Sequence, residues 1–178
     1  MASFNLYGKA HEAAAATEFT WFVYGSSLDR KAFLAWAEQH GYRLPDLSRG
    51  VPARLDGYRL AFDVLSRSWG GAVASLAESP GDRVEGIALP MPGGARGLAD
   101  HKEGAVSGLY EAFEVEVTPL AGGPAVKALA YRSSPGRRLE AESAPAPRYL
   151  ATVIQGARQV GLSPDWIARL EQSARSAG

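Results

Sequence analysis

Apolar residues recur at two periods along this chain, and the places where one period gives way to the other mark its elements. Phe19, Trp21, Phe22, Val23 and Tyr24 form a β-type run that predicts a buried strand, cut off by Gly25-Ser26-Ser27. From Asp29 the period lengthens: Phe33, Trp36, Ala37 and His40 recur at spacings of three and four, and Gly41 stops the predicted helix. Val51 to Leu55 and Tyr58 to Val64 alternate apolar with polar, and Asp56-Gly57 between them is a hairpin signal. Ser66 to Gly71 reads as a turn into a small-residue strand from Ala72 to Leu76, and Ser79-Pro80-Gly81-Asp82 as a turn into a strand from Arg83 to Leu89. A short helix is expected over Ala95 to Lys102, ended by Gly104. Glu111 to Val117 sets Phe113, Val115 and Val117 against Glu114 and Glu116, with Ala125 to Tyr131 as its partner across Gly122-Gly123. Ser133 to Pro147 is irregular and long enough to be a functional loop. Two helices close the chain, Arg148 to Val160 and Ser163 to Ser173, the second capped by Ser163 with Pro164 in its first turn.

Six or so short strands, several joined by hairpins, with helices inserted and appended, predict an α+β (mixed α/β) fold. Closure, or near closure, into a small β-barrel would protect the strand edges. Residues 19–178 are expected to form that single domain, and residues 1–18, with the alanine run Ala13 to Ala16, a poorly ordered extension. A chain of 178 residues, 46% hydrophobic, is large enough for one real core. Nineteen basic residues cancel nineteen acidic ones overall, and residues 1–100 and 101–178 are each balanced to within one charge, so no basic face invites nucleic acid or an anionic membrane. With no cysteine there can be no disulfide, thiolate metal site or cysteine nucleophile. The absence of a signal-type or bilayer-length apolar run completes the expectation of a cytoplasmic protein.

Two places could carry chemistry. Tyr24-Gly25-Ser26-Ser27-Leu28 delivers a loop from a buried strand to a helix N-terminus, where free N–H groups and the helix dipole attract a carboxylate or phosphate; the plainer reading is that Ser26 and Ser27 cap the helix. Glu103 ends a helix just before a strand, and without further information it reads as a surface glutamate. His101 beside it suggests a metal, but His11 and His40 are far away in sequence and no carboxylate cluster accompanies them, so no metal is expected. Neither a nucleophile elbow nor a P-loop nor a dinucleotide fingerprint occurs.

Taken together, several segments resemble the γ-glutamylcyclotransferase family in order and spacing. They are Tyr24 to Leu28, Ser68-Trp69-Gly70-Gly71 with Ala72-Val73-Ala74, Ser79-Pro80-Gly81-Asp82 with Val84 and Gly86, Glu103-Gly104 with Ser107-Gly108-Leu109-Tyr110, and Glu142-Ser143-Ala144-Pro145 with Tyr149 and Gly156-Ala157. The Glu-Gly-x-x-Ser-Gly-x-Tyr spacing is most similar to the branch acting on γ-glutamyl amino acids. The resemblance implies a cofactor-free cyclisation in which the substrate's own α-amine attacks its γ-carbonyl, releasing 5-oxoproline and an amino acid or amine. It implies Glu103 as the catalytic acid/base, and Tyr24, Gly25, Ser26, Ser27 and Leu28, with Tyr110 and Tyr149, as the substrate-binding residues. Tyr110 could equally be a core tyrosine with a satisfied hydroxyl. Ser27 stands where the family usually has Asn, which puts substrate identity in question more than reaction type, and no role carries over to Tyr131. The partner implied is a small γ-glutamyl substrate, with a homodimer left open. Two rivals stand beside this reading: a related cyclotransferase that removes a γ-glutamyl cap from an amine or a biosynthetic intermediate, and a non-catalytic binding domain of the same fold.

Overall fold

A computed structural model describes residues 18–176 of the chain. Five strands close into a barrel: β1 (Glu18–Val23), β2 (Val51–Ser66), β3 (Gly71–Pro92), β4 (Tyr110–Pro119) and β5 (Val126–Ser133) lie in the order β1-β3-β2-β4-β5. All neighbours are antiparallel except β5 and β1, which close the barrel in parallel at Trp21 and Leu129. Four helices are added: α1 (Arg30–Gln39) follows β1, α2 (Arg96–Lys102) lies between β3 and β4, and α3 (Pro147–Gln159) and α4 (Pro164–Ser176) end the fold. Apart from Glu18, which opens β1, the expected extension lies outside the described residues.

The expected hairpin at Asp56-Gly57 does not exist. Val51 to Ser66 is one strand, and Asp56-Gly57 lies inside it at a register shift, where Gly57 alone faces the four β3 residues Ser79 to Asp82. Gly57 takes a left-handed φ of +82°, so the Asp-Gly signal was a real demand for that conformation, used to bend a strand instead of reversing it. Opposite it, Ser79 to Asp82 has the expected turn chemistry, with the Ser79 hydroxyl donating to Asp82 Oδ2 at 2.5 Å, but β3 runs through it as a single strand to Pro92. Five strands, two of them very long, therefore stand where six or so short ones were expected. Curling long strands into a barrel needs such bends.

β1 is buried on both faces from Trp21 onward, as its continuous apolar run requires. Trp21 meets Phe33 of α1 edge-on at 5.8 Å and Tyr131 of β5 at 6.3 Å, which joins helix and barrel in one core. The stretch from 134 to 146 is irregular as expected, but it is strapped down: Leu139 N–H donates to Asp63 O, Ser143 N–H to Phe62 O and Ala146 N–H to Ala72 O. Buried Glu85 of β3 accepts the Ser163 N–H at 2.9 Å and the Ser163 hydroxyl at 2.8 Å, while that hydroxyl caps α4 through Trp166 N–H at 3.1 Å.

α3 lies so close to the end of β1 that a Cβ on Gly156 would sit 2.5 Å from the Leu28 carbonyl carbon and closer still to the Asp29 nitrogen. Gly156→Ala should therefore destabilise the fold by about 2 to 3 kcal/mol in urea denaturation, because the obstacle is backbone that cannot rotate away. An unchanged midpoint would show that α3 can step back.

Candidate functional site

A cleft of about 410 Å³ opens at one end of the barrel. Its floor and one wall come from Tyr24, Gly25 and Ser26 after β1, Val73 and Ala74 of β3, and Tyr110 at the start of β4. Tyr149, from the first turn of α3, lies over Gly25, where an added Cβ would stand 3.0 Å from the tyrosyl oxygen. Glu103 and Gly104 enter from the end of α2.

Each piece has a local cause. After Tyr24 the chain makes a single 3-10 turn, Ser26–Leu28, with Leu28 N–H donating to Gly25 O and Asp29 N–H to Ser26 O. Asp29, not either serine, caps α1, accepting the Ala32 N–H on Oδ1 at 2.7 Å. The N–H groups of Gly25, Ser26 and Ser27 have no protein acceptor among the described residues, so the loop retains donors at the start of a helix. Ser27 and Leu28 do not line the cleft: both are buried on the side facing α3. A binding role for their side chains therefore finds no support in the geometry, because the turn points them at the core; only the Ser27 N–H remains as a donor for a ligand.

Glu103 closes α2 as its C-terminal cap residue, its N–H donating to Ala99 O, and Gly104 at φ +74° turns the chain toward β4. It is not the surface glutamate of the plain reading but half-buried in the cleft, and among the described residues its carboxylate has no hydrogen-bond or ion-pair partner. Burial raises its pKa above the ordinary carboxylate value, and the charge of Lys102 opposes that rise. The tyrosines around it are driven the same way, away from ionisation. Burial pushes Tyr24, Tyr110 and Tyr149 up, and the Glu103 charge adds to the effect. Tyr24 donates to Tyr131 O at 2.7 Å and Tyr110 to Ala74 O at 2.6 Å, so Tyr110 is both a core residue with a satisfied hydroxyl and part of the cleft.

The rim contains residues that the sequence did not single out for the site. Trp36 and His101 form one side, and Trp69 with Arg148 the other, the guanidinium 5.2 Å from the Trp69 ring centroid. Trp36 had registered only as a periodic apolar position, and His101 only as a weak metal candidate; here its Nδ1 pairs with the Tyr42 hydroxyl at 3.0 Å. No group of three His, Asp or Glu side chains placed to hold a metal occurs among the described residues. Asp63 is a polar position within the stretch from Tyr58 to Val64. It is buried at the second register shift of β2, its Oδ2 accepting from the Ser133 hydroxyl at 3.2 Å and lying 3.4 Å from Arg138, and its charge reaches Tyr24 and Tyr110.

Fold and cleft together define a class: a small mixed barrel that holds one half-buried acid beside a strand–loop–helix junction. Comparison with known proteins gives the family. The chain is 30% identical over 157 residues to a γ-glutamylcyclotransferase of Homo sapiens, covering 86% of this chain and 77% of that protein. It is 29% identical over 175 residues to one of Mus musculus, covering 96% and 86%. A solved γ-glutamyl cyclotransferase superposes with a TM-score of 0.71 at 26% identity, covering 87% of each chain. The AIG2-like family model matches residues 83–170. The chain belongs to the γ-glutamylcyclotransferase family.

The raised pKa of Glu103 has a consequence for stability. A carboxyl whose folded pKa exceeds its unfolded value costs stability as pH rises from the unfolded value through the folded one, and the cost persists at neutral pH. Glu103→Gln should therefore melt at or above the wild-type temperature at pH 7, with the difference vanishing in acid where both forms are neutral. A Gln variant that melts well below wild type at pH 7 would contradict this.

Proposed function

We propose that this chain is a γ-glutamylcyclotransferase that converts a γ-glutamyl compound into 5-oxoproline and a free amine. The observation that carries the reading is the unpartnered Glu103 carboxylate in the same cleft as a loop whose Gly25 and Ser26 N–H groups are free. The substrate's α-carboxylate, or the oxygen of its γ-carbonyl, is an acceptor suited to those donors. Glu103 takes a proton from the α-ammonium, and the freed amine attacks the γ-carbonyl carbon, closing a five-membered ring. The bond to the leaving nitrogen then breaks as Glu103 returns the proton to it, and the ring nitrogen gives up its second proton to the departing amine, which leaves as an ammonium. No enzyme nucleophile is needed. An intramolecular attack held in a reactive geometry can contribute about 7 to 11 kcal/mol, so folding the glutamyl chain back on itself is the protein's main task. A carboxyl with a raised pKa suits both proton transfers, since its protonated form is easier to reach than that of an ordinary carboxylate. Tyr149 and Tyr110, neutral and held by the barrel, shape the walls against which the chain folds.

Release of 5-oxoproline from a panel of γ-glutamyl amino acids, γ-glutamyl amines and glutathione tests the reading. Turnover should survive exhaustive chelation, and activity lost to EDTA and restored by metal would refute the mechanism. Glu103→Gln should lower kcat by about 10² to 10⁴-fold while the protein stays folded. A folded Gln variant that retains more than about a tenth of wild-type kcat would remove the catalytic assignment. Neither product release nor binding of any glutamate-like ligand would leave a non-catalytic domain of this fold.

A further inference from the structure

Glu103 is surrounded by hydroxyls that do not serve it. Four tyrosines feel its charge. Tyr24 donates to Tyr131 O, Tyr110 to Ala74 O, and Tyr131 to Asp100 Oδ1 at 2.7 Å, while Tyr149 is engaged with the Ala74 backbone. Asp63 below Tyr24 and Tyr110 adds negative charge to the same region. Of the bases on the rim, His101 is turned to Tyr42, and Arg148 lies on Trp69 with its NH2 donating to Ser68 O at 2.9 Å. Lys102 is the cation that acts on Glu103.

Its position is built. The Lys102 Nζ lies 5.3 Å from the centroid of Trp36. That indole is stacked on His40 at 4.5 Å and on Tyr42 at 5.5 Å, with His101 edge-on at 5.3 Å, so the cluster ties the end of α1 to the end of α2. Among the described residues Lys102 has no carboxylate within salt-bridge distance, and its ammonium is itself desolvated at the cleft. A half-buried ammonium without a carboxylate partner is costly to keep, and here the Trp36 ring holds it in the cleft that Glu103 lines.

We infer that Lys102 is a positioning residue of this site: clamped against Trp36, its ammonium holds Glu103 as a carboxylate, the form a base needs before it can take the substrate's proton. The inference rests on Glu103 being the proton carrier of the proposed reaction. Without Lys102, burial acts on Glu103 unopposed, and a larger share of the enzyme sits in the protonated, unreactive form at a given pH.

The pH dependence of kcat/KM for 5-oxoproline release, measured for wild type, Lys102→Met, Lys102→Gln and Lys102→Arg, tests it. NMR titration of carboxyl-labelled glutamate in the ligand-free proteins accompanies the kinetics. In the Met and Gln variants the acidic limb should move to higher pH by about one pH unit, the low end of what an adjacent cation does to a carboxylate, and the Glu103 signal should titrate later in step. Lys102→Arg should restore the wild-type limb, and Trp36→Leu should fall between, because it frees the ammonium without removing it. A purely structural Lys102 would lower the melting temperature and scale the rate at all pH values, leaving the limb in place. An unmoved limb and an unmoved Glu103 titration in both neutral variants overturn the inference and leave the role of Glu103 standing. Near-normal turnover in Glu103→Gln sinks the functional reading itself, and the role of Lys102 with it.

Discussion

The seating of α3 against the loop after β1 is the contact on which the rest of the site depends. Gly156 brings the helix backbone onto Leu28 and Asp29, leaving no room for a Cβ, and two turns earlier Tyr149 rests its hydroxyl over Gly25. At the far end of α3, Gln159 Oε1 accepts the Arg30 N–H at 3.2 Å, so the same helix also holds the start of α1. The loop is thus gripped from its own strand, from α3 and through the Asp29 cap. Its free N–H groups are fixed in advance, and donors fixed before a ligand arrives need no reorganisation when charge develops near them.

Behind that grip stands the barrel. β2 and β3 are long enough to serve both ends of the sheet, and their bulges let them curl. The bulge at Phe62 and Asp63 falls opposite Ala74, whose carbonyl accepts the Tyr110 hydroxyl at the cleft floor. The segment from 134 to 146 is sewn to this same stretch, through Leu139 to Asp63 O and Ser143 to Phe62 O, with Arg138 partnering the Asp63 carboxylate. A length of chain that looked free to act as a functional loop acts instead as a strap over the bend. The electrostatic outcome in the cleft follows from burial: tyrosines kept neutral, one carboxyl pushed toward its protonated form, and a neighbouring ammonium pushing back.

Much of this was legible in the sequence, for local reasons. The unbroken apolar run of β1, the 3.6-residue period of α1 with Asp29 before it and Gly41 after it, the alternation of β4 and the Ser163-Pro164 start of α4 each rest on interactions within a few residues, which neighbouring side chains determine wherever the segment is placed. Five motifs in order also carried the family, because chain order and spacing are properties of the sequence alone.

Tertiary structure decided the rest. Asp56-Gly57 demands a left-handed glycine in a hairpin and within a bent strand alike, and only the partner strand, which pairs again at Glu78 after the turn from Ser79 to Asp82, selects the bent strand. The direction of Ser27 and Leu28 was likewise undetermined until α3 pressed on the turn and sent both side chains inward. Glu103 read as a surface residue because its sequence neighbours are polar; its burial comes from Tyr110, Tyr149 and Tyr24, which lie near it only once β4, α3 and β1 have been brought together. Local periodicity placed the helices and most strand segments of this protein, since these answer largely to their own residues, whereas strand continuity, burial, pKa and the meeting of Lys102 with Trp36 belong to pairs distant in sequence and exist only in the closed barrel.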